Sequence, residues 1–326
     1  VAATDSAVQP ANAGLATTAL TMYLAHFALQ QLPFGLTPNT GFYVGLNGHQ
    51  QAMEVLQTAL GHGEGFIKVT GEVGTGKTLL CRKLLNEAPA HWSLAYIPDP
   101  NLDPQQLRWA LALELGLKQS DNIDQQQLAH LLQRQLLLLA GAGRQVVLLV
   151  DEAQALPDET LEALRLITNL ETEQHKLVQV VLFGQPELDR RLAQSKFRQL
   201  RQRISFSYQL PQLQRAEVAA YLQQRLLFAG SQQMLFSKLA LWLLSHYSRG
   251  IPRLINVLAH KALLLSYGAG LSRAGWWQIY QAAVDTEDVQ QSSRGWLTTA
   301  AIVAMLSLLL SLWLQPSGML ALWSLP

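Results

Sequence analysis

The sequence has almost nothing to hold it together covalently and little charge of either sign. Its single cysteine, Cys81, excludes any internal disulfide in a chain of 326 residues. A reducing compartment for the bulk of the chain fits that. Cys81 lies in an apolar helical stretch and reads as a small core residue. Charged residues are only 14% of the chain and the net charge is +1, so no global field points to nucleic acid or an acidic surface. No Lys or Arg precedes the apolar run at 15–32, and His26, Gln30 and Gln31 interrupt it. That run is expected to be neither a signal peptide nor a membrane span. Residues before Met22 read as an upstream extension or a disordered lead. No internal repeat is visible.

What the chain has in quantity is apolar surface, with 49% hydrophobic residues. That is enough for one large or two ordinary domains with proper cores. Residues 32–45 are rich in Pro, Gly, Thr and Asn and predict an extended, turn-containing lead-in. Apolar spacing predicts helices at 48–60, 79–87, 104–115, 124–140, 157–173 and 186–194. Between them lie strand candidates at 65–70, 92–97, 145–150, 177–183 and 204–208. Alternation of this kind predicts an α/β fold, a doubly wound parallel sheet with helices on both faces. Strand signals stop after Gln214, and helices are predicted at 215–228, 236–247, 252–267 and 275–285. The expected organisation is a lead-in at 1–44, an α/β nucleotide-binding domain at 45–210 and a small all-helical lid domain at 211–290. A membrane helix at 296–314 and a short tail at 315–326 follow.

Gly71, Glu72, Val73, Gly74, Thr75, Gly76, Lys77 and Thr78 spell a P-loop, G-x-x-x-x-G-K-T, between a predicted strand and a predicted helix that opens at Leu79. Its glycines let backbone N–H groups turn toward phosphates, and the helix aims its positive end at the same anion. Lys77 is expected to reach the β- and γ-phosphates of ATP, and Thr78 to bind Mg²⁺. The run Val146-Val147-Leu148-Leu149-Val150 ends in Asp151 and Glu152. A strand buried on both faces reads this way, and ligands bind at its C-terminal end. Asp151 is expected to hold Mg²⁺ through water, and Glu152 to polarise the attacking water of an ATPase. Positive charge for the transition state can come from Arg198, Arg201 and Arg203 before the last strand, or from Arg253. Pro252 suits a first helical turn and puts Arg253 at a helix start.

These pieces in this order resemble the AAA+ superfamily of P-loop NTPases. Within it they resemble the ExeA/GspA-type secretion ATPases, and most closely the MshM-type ATPases of MSHA pilus biogenesis. The likeness covers about residues 22–285 and includes His49, Asp151-Glu152-Ala153-Gln154, Phe183-Gly184-Gln185-Pro186-Glu187-Leu188 and Gly250-Ile251-Pro252-Arg253. The resemblance implies that Gln185 falls near the sensor-1 position, where Asn, Thr or Ser is commoner. It implies that Arg253 is the sensor-2 arginine, and that Arg203 or Arg201 is a finger supplied to a neighbouring subunit. It implies that residues 34–46 border the adenine. An ATP-promoted self-oligomer, a ring or arc and expected to be a hexamer, follows from a finger supplied in trans.

Residues 296–314 carry no charge, hold seven Leu and are flanked by Trp296 and Trp313. At about 1.5 Å per residue they would span about 28 Å, close to the hydrocarbon core of a bilayer. Arg294 precedes them and no Lys or Arg follows, so the positive-inside rule predicts a bacterial inner-membrane protein with a cytoplasmic ATPase. Relatives of the ExeA/GspA type carry a periplasmic peptidoglycan-binding domain after such a span. Only residues 315–326 follow here, which favours the MSHA-like reading and partners among inner-membrane pilus or secretion assembly proteins. The rival reading is a DNA-binding AAA+ regulator of the transposition type. The region 198–225 is only modestly basic and no further domain follows the lid, so nucleic acid is not the expected partner. A third reading is an ATP-bound scaffold.

Overall fold

Five short apolar runs form one parallel sheet in the computed structural model, which describes residues 21–35, 40–118, 124–171 and 176–289. The strands are β1 (Phe66–Thr70), β2 (Trp92–Ile97), β3 (Gln145–Val150), β4 (Val178–Gly184) and β5 (Ile204–Gln209), in the order β2-β3-β4-β1-β5. Successive side chains of a strand point to opposite faces, and the sequence uses both. Val146, Leu148 and Val150 enter one core, while Val147 and Leu149 enter another. β5 lies at an edge and alternates half-buried Ile204, Phe206 and Tyr208 with polar residues.

α1 (Asn47–Gly61) and α2 (Lys77–Glu87) cover one face. Cys81 is fully buried there, and burial pushes its thiol pKa up. The other face carries α3 (Pro104–Glu114), α4 (Gln125–Gly141), α5 (Asp158–Ile167), α6 (Pro186–Leu192) and α7 (Arg198–Arg203). Asp103 and Asp124 open α3 and α4 with capping boxes, each closed by a Gln three residues on. The path from β1 to β2 runs one way along the sheet, and that from β4 to β5 runs the other. Right-handed crossovers then put their helices on opposite faces. Because β1 and β4 are neighbours, a crevice opens beyond their C-terminal ends.

Two boundaries differ from expectation. The helix predicted over 157–173 ends at Ile167, where Thr168 turns its hydroxyl onto the Arg165 carbonyl at 2.9 Å. Thr and Asn offer the backbone such local alternatives, and Asn169 follows, so the chain leaves the helix and returns toward β4. The arginine-rich lead into β5 is itself a short helix, α7.

Beyond β5, α8 (Arg215–Phe228), α9 (Lys238–Ser248), α10 (Pro252–Gly268) and α11 (Trp276–Val284) share a core of their own, the all-helical unit expected as the lid. The segment read as a lead-in is built into this lid. Tyr23, Phe27, Phe34 and Val44 are buried in its core, and Arg225 donates to the Pro33 carbonyl at 2.7 Å. Phe42 lies under the Arg225 guanidinium, 4.8 Å from its ring centre. Residues 1–20, the apolar segment at 296–314 and the tail lie outside the described residues. Among the described residues no helix is long and apolar enough to cross a membrane.

Candidate nucleotide site

The loop between β1 and α2 sits in that crevice. Gly74 and Gly76 adopt left-handed φ of 83° and 98°, which favours residues without a Cβ. A Cβ on Gly76 would stand 2.8 Å from the His49 ring. That ring is buried, and its Nε2 lies 2.9 Å from the Thr75 carbonyl. Burial pushes the His49 pKa down, so the ring is neutral and donates its Nε2–H to that carbonyl. The Thr75 hydroxyl donates back to the Glu72 carbonyl at 2.8 Å. The loop is thus braced from α1 and from within.

Lys77 is buried, and its ammonium donates to the carbonyls of Gly71 at 2.8 Å and Glu72 at 3.0 Å. Burial lowers its pKa, and the charges of Glu152, Asp151 and Glu72 oppose that. Asp151 follows β3 directly and is buried. Burial raises its pKa, while a hydrogen bond from the Thr78 hydroxyl and the Glu152 N–H at 2.9 Å favour its carboxylate. Thr78 and Asp151 therefore set two hard oxygen donors side by side. Mg²⁺ takes one or two such protein ligands and completes its shell with water and phosphate. Among the described residues no cluster of three or more His, Cys, Asp or Glu could cage a metal alone. The donor set fits a Mg²⁺ brought in with a nucleotide.

Glu152 has a left-handed backbone, φ 49°, which turns it out of the strand direction. Its Oε2 accepts from Gln154 Nε2 at 2.5 Å and from Gln185 Nε2 at 3.0 Å. The Gln154 side-chain oxygen in turn accepts the Gln185 N–H at 2.9 Å. Gln185 follows β4 directly, so the sheet brings it to Glu152 although 33 residues separate them.

The helical unit packs against the loop. Arg253 opens α10, and its N–H donates to the Gly74 carbonyl at 3.2 Å. A cavity of ≈ 510 Å³ lies there, lined by Glu72 and Val73 of the loop, Arg249, Ile251 and Arg253 of the lid, and Asp288. Arg201 and Arg203 are elsewhere. They lie on α7, before β5, at the opposite end of the sheet from the loop. Arg201 bonds the Ala193 carbonyl at 3.0 Å and Arg203 the Thr168 hydroxyl at 3.4 Å. Phe34, Val44 and Leu46 of the stretch expected near the adenine are buried in the lid core. Sequence reasoning gave no role to His49 or Gln154 and passed over Arg249 and Asp288. Only the spacing of Gln154 two residues after Glu152 offered a hint.

Fold and loop together define an α/β domain with a P-loop at the C-terminal edge of its parallel sheet. Residues 60–192 match the model of the AAA domain family. The chain is 40% identical over 269 residues to general secretion pathway protein A of Aeromonas hydrophila, an alignment that takes in 82% of this chain and 49% of that protein. It therefore spans about half the length of that relative. Among solved structures, Cdc6p from Pyrobaculum aerophilum is similar with a TM-score of 0.58 at 16% identity, covering 76% of this chain and 71% of that one. The Aeropyrum pernix ORC2 protein gives 0.53 at 15%, covering 77% and 72%. These two share the fold.

Proposed function

We propose that the chain binds ATP with Mg²⁺ between the P-loop and the lid, hydrolyses it, and uses the cycle to drive assembly of a secretion or pilus machine. The observation that carries the reading is the convergence of Lys77, Thr78, Asp151 and Glu152 at the C-terminal ends of β1 and β3. Lys77, cradled by loop carbonyls, would exchange them for β- and γ-phosphate oxygens. Thr78 and Asp151 would hold Mg²⁺, which neutralises charge on those oxygens when bound. Glu152, held by Gln154 and Gln185, would orient the attacking water as general base. Gln185 would then act as sensor 1, and Arg253 would reach the γ-phosphate from the lid.

Arg201 and Arg203 lie too far along the sheet to serve their own loop. As fingers they would act on a neighbour's nucleotide, which requires a ring or arc of subunits, a hexamer in our reading. The name of the Aeromonas relative supports a general secretion pathway setting, within which we read a type II-like machine or an MSHA-like pilus. The uncharged segment 296–314 supports an inner-membrane anchor with the ATPase on the cytoplasmic side. A DNA-binding regulator is the weaker reading. Arg225 is buried against Pro33, and Arg201 and Arg203 bond to their own subunit, which takes three of the five arginines of 198–225 out of a free basic stripe.

Two variants test the core of this. Lys77→Ala should lose binding of a fluorescent ATP analogue. Glu152→Gln should keep binding but lose about 10² or more in phosphate release, as expected when a general base is removed. Normal affinity in the first or normal turnover in the second overturns the assignment.

A further inference from the structure

Two lid arginines, rather than one, face the phosphate loop. The turn between α9 and α10 explains how. Arg249 and Gly250 both take left-handed backbone conformations, with φ of 53° and 72°. A glycine is required at 250, because a Cβ there would stand 2.1 Å from the Leu213 carbonyl oxygen. Arg249 carries a Cβ in a conformation that such residues seldom adopt. The Ile251 N–H closes the turn onto the Ser248 carbonyl at 2.9 Å, and the Arg253 N–H reaches Gly74. As a result Arg249 and Arg253 line one cavity with Glu72 and Val73 of the loop. Neither guanidinium forms an ion pair among the described residues.

The same cavity holds Asp288, and Asp288 is held firmly at its place in the chain. Thr286 is buried and its hydroxyl donates to the Ala282 carbonyl at 2.7 Å. Lys261 donates to that hydroxyl at 3.1 Å and pairs with Asp285 at 2.8 Å. Val289 is buried in the lid core on the other side. The cavity therefore sets two arginines against a carboxylate that repels any polyphosphate entering it.

We propose that Arg249 is a second lid arginine that binds the phosphate chain of the nucleotide beside Arg253, and that Asp288 opposes it and keeps nucleotide affinity low enough for exchange. This rests on the reading of the cleft as the ATP site. The two residues act on binding with opposite sign, which a general structural role does not predict.

The test uses the full chain and fluorescent ATP and ADP analogues, titrated at fixed Mg²⁺ and at two salt concentrations. Arg249→Gly is the informative variant, because glycine suits the left-handed backbone and removes only the side chain. Its Tm should be equal to or above that of the parent protein, while its ATP affinity falls at least fivefold and its ADP affinity falls less. Asp288→Asn should bind ATP at least threefold more tightly, with the gain shrinking at high salt. A parent protein that binds ATP while both variants stay within twofold of it overturns this inference alone. A tightening by Arg249→Gly, or a weakening by Asp288→Asn, also overturns it. A parent protein that binds neither nucleotide removes the ATP site itself, and this inference with it.

Discussion

Replacing Gly74 by Ala separates two costs that the phosphate loop carries at once. The first is conformational. At φ 83° an L side chain loses about 1–2 kcal/mol against glycine. The second is steric. The new Cβ would stand 2.6 Å from the Cβ of Arg253 and 3.2 Å from Cγ2 of Ile251. These atoms sit close to the lid backbone and cannot swing aside like a side-chain tip. Overpacking of this kind costs about 1–3 kcal/mol, or else the lid retreats and the Arg253 bond to the Gly74 carbonyl is lost. Gly116 supplies the control. Its φ is 84°, nearly the same, and a Cβ there meets nothing within 4 Å. Gly116→Ala should therefore show the conformational cost alone, a fall in Tm of a few degrees at about 2 °C per kcal/mol. Its nucleotide affinity should be unchanged. Gly74→Ala should lose roughly twice the stability or more, and its affinity for the ATP analogue should fall more than tenfold. Calorimetry and a binding titration on the three proteins decide it. Equal melting shifts with unchanged affinity in Gly74→Ala would show that the lid does not press on the loop.

The other expectations concern chemistry, assembly and pH. Gln185→Ala should lower kcat about tenfold with KM within twofold, because one hydrogen bond to a half-exposed carboxylate is lost; unchanged kcat would mean that Gln154 alone holds Glu152. Arg203→Ala should bind ATP but not hydrolyse it, and mixing with Lys77→Ala subunits should restore some turnover; Arg201→Ala is the parallel variant, and no rescue by either argues against a shared site. His49 is held neutral by burial, so its folded pKa lies below the unfolded value of about 6.5. The unfolded chain then binds the extra proton first, and the stability this group contributes is complete above pH 6.5 and falls as pH drops toward the folded pKa. Urea unfolding from pH 8 to 5 should lose less for His49→Gln than for the parent protein; parallel curves would refute it. Asp151 has the opposite sign: burial raises its pKa, so its charge at pH 7 opposes folding. Asp151→Asn should melt no lower than the parent without nucleotide, yet lose Mg²⁺-dependent hydrolysis.

The sheet was legible because its strands are buried on both faces. Val146 to Val150 has to be apolar throughout to serve two cores, and that run cannot be mistaken for the alternation of an edge strand. The phosphate loop was legible for a related reason. Its glycines answer local demands, left-handed φ at Gly74 and Gly76, and local demands leave a fixed spacing in the sequence. Asp151 and Glu152 were legible as the first polar residues after the run, at the strand end where such a sheet opens.

What stayed hidden depends on residues far apart in the chain. The segment around Tyr23 and Phe27 looks like a lead-in because its partners, in α8 to α11, begin almost 200 residues later. Gln185 meets Glu152 only because β3 and β4 are neighbours, which no local pattern states. Arg249 is the sharpest case. An arginine before a glycine at a helix end reads as a solvated cation near a helix C-terminus, and nothing local marks its left-handed backbone. The next residue, Gly250, packs against Leu213, whose carbonyl leaves no room there for a side chain. Arg249 and Arg253 stand on either side of that turn and line one cavity with the loop. One strained turn thus brings two charges to one cavity, and a residue that local sequence assigns to solvent becomes part of its lining.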